Sequence, residues 1–128
     1  MKLLVLGGTK FLGRHAVDAA LADGHDVTIF TRGQTNAELF PEVEHLLGDR
    51  DGKLDALAGR RWDGVVDTSG YVPRVVRQSA ELLRDAVGRY VFVSSISVYD
   101  DFSEPIDESS PVAQLEDPAT EEIMEAYG

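Results

Sequence analysis

Apolar residues arrive along the chain in short blocks, separated by glycines and polar turns. Residues 2–6, KLLVL, form an apolar run that stops at Gly7-Gly8, the pattern of a buried strand entering a tight turn. From residue 11 to 23, Leu12, Ala16, Ala19, Ala20 and Leu21 recur at helical spacing, and Gly24 follows as a C-terminal cap. Residues 26–30, DVTIF, read as a second strand. Residues 31–43 contain Gly33, Asn36 and Pro41 and read as loop, with room for one helical turn. Glu44–Leu47 is a third strand ending at Gly48-Asp49, residues 53–58 a short helix closed by Gly59, and residues 63–67 a fourth strand. The clearest helix is predicted over residues 72–87. Val72, Val75, Val76, Ala80, Leu83 and Val87 share one face; Arg74, Arg77, Glu81, Arg84 and Asp85 share the other. Pro73 sits near its start and Gly88 just beyond its end. Residues 89–93, RYVFV, make a fifth strand, and after Tyr99 the alternation stops.

Each strand is a continuous apolar block, not an in-out alternation, which marks a parallel sheet covered on both faces. Crossovers between parallel strands are right-handed almost without exception. The expected fold is therefore α/β: a doubly wound, Rossmann-type sheet of strand order 3-2-1-4-5. Residues 1–99 form the expected nucleotide-binding domain. Residues 100–128 form an acidic loop or tail that leads toward an active-site helix the chain does not complete.

Charge sharpens this division. The formal net charge is −11, and ten of the 23 acids but none of the 12 bases lie in residues 100–128. Residues 1–99 are thus nearly neutral. An acidic tail repels nucleic acid, so nucleic-acid binding is disfavoured. No apolar run approaches the roughly 18 residues that cross a bilayer, and residues 3–6 are too short for a signal peptide. The absence of cysteine rules out disulfides and thiolate chemistry, and His15, His25 and His45 lack metal-ligand spacing. A cytoplasmic protein without a metal or membrane is expected.

The candidate chemistry begins at the first turn, Gly7-Gly8-Thr9-Lys10-Phe11-Leu12-Gly13. A strand must turn sharply into a helix here, the backbone must approach a diphosphate, and the helix must lie against the sheet. Glycine meets each demand because it has no Cβ. The helix start then presents free N–H groups and a positive dipole end. Gly7 suits the turn, Gly8 the close approach and Gly13 the packing. A packing-only turn is the alternative. An ATPase-type phosphate loop is excluded, because no Gly-Lys-Ser/Thr closes the turn.

The segment LGGTKFLG resembles the TGxxGFLG cofactor turn of extended short-chain dehydrogenases/reductases of the epimerase/dehydratase kind. It is closer still to the GGT(K/R)F(I/L)G form of an atypical branch that includes chloroplast stem-loop-binding proteins. Lys10 stands where the wider family has glycine and brings a cation near the phosphates. The resemblance implies further roles in chain order. Gly48-Asp49 would place the Asp49 carboxylate on the adenine amino group, with Arg50 beside it. Asp67-Thr68-Ser69-Gly70 would run past the nicotinamide ribose. Val93-Ser94-Ser95-Ile96-Ser97-Val98-Tyr99 resembles the family's SSxxVYG segment, which makes Ser95 the catalytic serine. Tyr127-Gly128 falls where the family's YxxxK motif begins, which makes Tyr127 the catalytic tyrosine; its lysine would be position 131. In such enzymes the tyrosine is the general acid or base and the lysine lowers its pKa. The 128-residue chain alone is therefore expected to be inactive. For Ser95 a plain strand-end cap is the alternative, and for Tyr127 a tail aromatic.

Cofactor choice is normally set at the end of strand two, where an acid favours NAD and an arginine without an acid favours NADP. Here Phe30 is followed by Thr31-Arg32-Gly33. NADP is expected over NAD, with Arg32 on the 2′-phosphate; a solvent-facing arginine is the alternative. The family uses the helix over residues 72–87 in dimer interfaces, so a homodimer is a candidate assembly. Three functions remain open: a nicotinamide-dependent oxidoreductase, epimerase or dehydratase acting on a hydroxyl or carbonyl of a small molecule, with nucleotide sugars the commonest substrates; an RNA-associated regulatory protein on the same fold; and a non-catalytic NAD(P) sensor.

Overall fold

A computed structural model describes residues 1–122. They divide into two compact units, Met1–Val93 and a second that begins at Ser94. In the first unit five strands, β1 (Lys2–Leu6), β2 (Asp26–Thr31), β3 (Glu44–Leu47), β4 (Trp62–Asp67) and β5 (Val87–Phe92), form one parallel sheet of order β3-β2-β1-β4-β5. The expected doubly wound topology is borne out.

Alternation along the strands explains why both faces are covered. Leu4 and Leu6 of β1 point to one face, where they pack with Phe30, Leu46, Trp62, Val65 and Leu83. Val5 points to the other, with Val27, Ile29 and Val17. Helix α1 (Phe11–Ala22) brings Val17 to the second face, and α2 (Pro73–Leu83) brings Leu83 to the first. Each fully buried aliphatic side chain contributes about 1.5–3 kcal/mol, so these two small cores hold the helices on opposite sides of the sheet.

Helix α1 ends as its sequence foretold. Gly24 takes φ 74°, its N–H donates to Leu21 O at 3.0 Å, and His25 N–H donates to Ala20 O at 2.9 Å. This is a Schellman closure, and only a residue tolerant of positive φ fits it.

Helix α2 differs from the expectation. It stops at Leu83, and Gly88 lies inside β5 instead of capping the helix. The apolar period that continues to Val87 belongs to the sheet, where Val87 pairs with Trp62. Strand pairing overrides the helical spacing. A Cβ at Gly88 would meet Asp63 O at 3.0 Å, so close backbone packing accounts for this glycine. The short helix expected over residues 53–58 is a single 3-10 turn, Asp55–Leu57, which delivers Leu57 to the core. Residues 32–43 contain no helix.

Among its described residues the second unit carries a 3-10 turn, Ile96–Val98, and a Tyr99–Val112 bridge. Its loops are shaped by acid side chains that accept from backbone N–H groups two residues on. Asp101 accepts from Ser103, Asp107 from Ser109 and Asp117 from Ala119. The Ser103 N–H holds the Asp101 carboxyl, and the Ser109 hydroxyl together with its N–H holds the Asp107 carboxyl, below the usual carboxylate range. Among the described residues no helix is long and apolar enough to cross a membrane.

Candidate functional site: the carboxyl edge of the sheet

In an open parallel sheet, ligands gather where the strand order reverses, beyond the carboxyl ends of the strands. Here that point lies between β1 and β4, and the Gly7–Gly13 turn leaves β1 at it. Gly7 and Gly8 adopt φ 109° and 99°. The Gly7 N–H extends the sheet by donating to Phe30 O at 3.0 Å. A Cβ on Gly7 would collide with Thr68 Oγ1. A Cβ on Gly8 would point into the core, 3.3 Å from both Ile29 Cγ2 and Val17 Cγ2. Gly8 therefore serves the core and the backbone conformation, a different reason from the close ligand approach expected of it. Gly13 is where approach is tightest, because a Cβ there would sit 2.6 Å from Gly8 N.

Helix α1 starts without a side-chain cap, from Lys10 in an extended conformation, and has no acid in its first turn. The first intrahelical bond is Arg14 N–H to Lys10 O at 3.1 Å. The N–H groups of Phe11, Leu12 and Gly13 consequently have no helical acceptor. Phe11 itself carries φ 21° and leaves its ring 84% exposed. Positive φ is costly for an aromatic residue, and its own packing does not offset that cost. Thr9 is buried, Lys10 and Leu12 are exposed, and the Thr9 carbonyl accepts from Asn36 Nδ2 at 2.8 Å. That bond ties the loop after β2 to the glycine turn. Arg32 lies exposed on the same loop, beside Thr31, whose Oγ1 accepts from Gly33 N–H at 3.1 Å.

Asp49 follows β3 and is half-buried, its Oδ1 accepting from Asp51 N–H at 3.0 Å. Thr68, Ser69 and Gly70 follow β4. The Thr68 N–H and Oγ1–H both donate to Leu6 O, at 3.0 and 3.1 Å, and Ser69 Oγ–H reaches the same oxygen at 3.2 Å. A Cβ on Gly70 would collide with Val76 and lie 2.7 Å from Phe92 Cε2. The β4 end is thus held against the end of β1.

Arg50 departs from the sequence reading. Its guanidinium faces inward, 9% exposed, and donates to both Asp67 oxygens at 2.6 and 2.7 Å and to Ser79 Oγ at 2.6 Å. A side chain already committed to a buried carboxylate is not available to a ligand as the resemblance implied. Tyr90 donates to Asp67 Oδ2 at 2.7 Å, and burial pushes its hydroxyl up to about 12. Ser79 and Tyr90 were not singled out from the sequence, and Asn36 was read only as a loop residue. Ser79 did leave a trace, as a polar residue interrupting the apolar face between Val76 and Leu83.

Ser95 belongs to the second unit. It is exposed, caps the Ile96–Val98 turn by accepting from Ser97 N–H at 3.2 Å, and shares a short hydrogen bond with Ser97 Oγ. Tyr127 lies outside the described residues. A cavity of about 470 Å³, lined by Lys2, Trp62, Asp63 and Val87 among others, opens at the opposite, amino edge of the sheet. No group of three or more His, Asp or Glu able to hold a metal occurs among the described residues.

Comparison with known proteins agrees with this geometry. The chloroplast stem-loop binding protein of 41 kDa b from Arabidopsis thaliana is 32% identical over 114 residues, covering 77% of this chain and 30% of the relative. A UDP-galactose 4-epimerase structure superposes with a TM-score of 0.75 at 24% identity, over 88% of this chain and 44% of the other. The UDP-Glc/GlcNAc 4-epimerase of Campylobacter jejuni gives 0.73 at 15%, over 89% and 43%. The UDP-glucose 4-epimerase of Thermus thermophilus, in complex with NAD, gives 0.70 at 20%, over 88% and 44%. The superpositions show a shared fold, and the chain spans less than half the length of each of these proteins. A sequence model of the NAD dependent epimerase/dehydratase family matches residues 3–121, and the chain belongs to that family.

Proposed function

We propose that this chain binds a nicotinamide dinucleotide at the carboxyl edge of its sheet, as the cofactor-holding part of an oxidoreductase, epimerase or dehydratase acting on a hydroxyl or carbonyl. The observation that carries this reading is the uncapped start of α1 behind Gly7-Gly8, with Gly13 packed so closely that no Cβ fits. A diphosphate needs convergent N–H donors, a positive helix end and an unobstructed backbone, and these residues supply all three.

When bound, the nicotinamide supplies hydride transfer. The protein's own groups bind and orient. Gly7, Gly8, Thr9, Lys10, Phe11, Leu12 and Gly13 would hold the diphosphate. Asp49 would accept from the adenine amino group. The backbone of Thr68, Ser69 and Gly70 would border the nicotinamide ribose. Ser95 would hydrogen-bond the reacting oxygen of the substrate, and Tyr127 would give or take its proton. Arg32 stands at the end of β2 with no acid from Thr31 to Asn36, which supports NADP over NAD. Nucleotide sugars are the substrate class supported by the names of the structural neighbours.

A second reading, an RNA-associated regulatory protein, is favoured by one observation, the name of the Arabidopsis relative. The net charge of −11 opposes it, because nucleic-acid phosphates require a basic face. Calorimetric titration separates the two. Heat is expected with NADP and NAD and none with an RNA hairpin; silence with every nicotinamide nucleotide would overturn the leading reading.

A further inference from the structure

We infer that Arg50 is a positioning residue, whose buried pair with Asp67 straps the Asp49 loop to β4 and α2 and so fixes the adenine end of the cofactor site against its ribose end. The inference rests on the dinucleotide reading given above.

The strap spans a real gap. β3 and β4 are not neighbours, since β2 and β1 lie between them. No direct strand pairing therefore holds the loop after β3 to the end of β4. Side chains do so instead. Arg50 reaches Asp67 with both Nη atoms, and its Nη1 also lies 3.4 Å from Ser69 Oγ. On the far side, Asp67 accepts from Ser69 N–H at 3.2 Å and from Tyr90 OH at 2.7 Å. One carboxylate thus gathers a residue of the Asp49 loop, a residue of the Thr68–Gly70 loop and a residue of β5.

The same loop is tied to α2 at three successive positions. Arg50 donates to Ser79 Oγ at 2.6 Å, Asp51 pairs with Arg74 at 2.6 and 3.1 Å, and Gly52 N–H donates to Gln78 Oε1 at 3.0 Å. Within the loop, the Asp49 carbonyl accepts from Lys53 N–H at 2.9 Å. Helix α2 begins three residues after Gly70. The two loops assigned to opposite ends of the cofactor are therefore mounted on one helix and one buried ion pair.

Stability alone does not explain this arrangement. A buried ion pair can often be replaced by apolar residues of similar volume with no loss, or with a gain, of stability. The Arg50 Nε–H is buried with no hydrogen-bond partner among the described residues, a further cost. What the pair provides beyond an apolar contact is direction. Two parallel N–H···O bonds fix a guanidinium in one orientation, and an apolar contact does not.

The test pairs stability with affinity. The double variant Arg50→Met/Asp67→Leu removes both charges together, so neither is left buried alone. It is expected to fold and to melt above either single variant, yet to bind AMP and NAD at least about tenfold more weakly by calorimetry. Parent-like affinity in a folded double variant would overturn the inference. A parent chain that binds no nucleotide at all would instead overturn the dinucleotide reading on which it rests. If the double variant does not fold, hydrogen exchange on the parent chain decides. Gly52 and Lys53 amides protected as well as those of α2 support the strap, and exchange at the rate of a free loop refutes it.

Discussion

The backbone of Gly8 lies so close to Gly13 that a Cβ on Gly13 would stand 2.6 Å from Gly8 N and 2.9 Å from Gly8 Cα. Both contacts are to main chain, which cannot rotate away. Gly13→Ala must therefore push α1 off the end of β1. Overpacking of this kind costs about 1–3 kcal/mol, and the displacement would also move the N–H groups of Phe11 and Leu12. The expected result is a lower melting temperature together with loss of measurable dinucleotide binding. Gly24→Ala is the control. Its Cβ meets nothing within 4 Å, and its φ of 74° is strained for alanine. It should cost about 1–2 kcal/mol and leave affinity unchanged. If both variants bind alike, the turn does not hold the ligand.

Removing only one partner of the Arg50–Asp67 pair should be far worse than removing both. Arg50→Met leaves the fully buried Asp67 carboxylate with the Tyr90 hydroxyl and the Ser69 N–H as its remaining donors and no cation beside it. Breaking a buried pair in this way costs about 3–5 kcal/mol. Denaturant unfolding followed by the emission of Trp62, the single tryptophan, reads the loss directly, because Trp62 is 7% exposed and sits in the core. A single variant as stable as the double would show that the carboxylate is not held by Arg50.

Tyr90 gives a pH signature of the same cluster. Burial raises its pKa most; the Ser79 hydrogen bond offsets part of that, and the hydrogen bond and charge of Asp67 add to it, to about 12 against the usual 10.0. The folded value lies above the unfolded one, so the neutral phenol is favoured by folding. That contribution is complete below about pH 10 and is lost as pH rises through about 12. In an ultraviolet titration, a late tyrosine step is expected near pH 12. Tyr90→Phe should abolish the late step and flatten the alkaline fall in stability. A late step that survives in Tyr90→Phe would assign it to another tyrosine.

The sheet was legible because its signals are local. Gly48 ends β3 and Gly24 closes α1, and the apolar blocks between such residues fall where the strands are. The end of α2 was not legible. Val87 continues the helical period, and only its pairing with Trp62, 25 positions earlier in the chain, assigns it to β5. The glycine turn was readable as a motif, whereas the reason for Gly8 was not, since its neighbours Val17 and Ile29 come from two other elements. Arg50 was read by its place after Gly48-Asp49. Its partner Asp67 comes from a strand that is not a neighbour of β3, and no spacing rule connects them. Burial and long-range pairing decide such residues, and a linear pattern records neither.

Arg32 offers the sharpest test of cofactor choice. It is exposed at the end of β2, the neighbouring Thr31 hydroxyl is engaged by Gly33 N–H, and Asn36 is held by Thr9. The loop is thus anchored to the glycine turn while the Arg32 side chain stays exposed. A charge-assisted bond from Arg32 to a 2′-phosphate is worth about 1.5–3 kcal/mol, or roughly ten- to a hundredfold in affinity. Arg32→Ala should weaken NADP by that factor and leave NAD nearly unchanged, since NAD has only a hydroxyl at that position. The NADP contact should also weaken as salt is raised, because an exposed charge pair is screened within a Debye length of about 8–10 Å. Equal losses for the two cofactors would place Arg32 elsewhere in the site. No loss for either, or a parent chain that prefers NAD tenfold, would remove the NADP assignment.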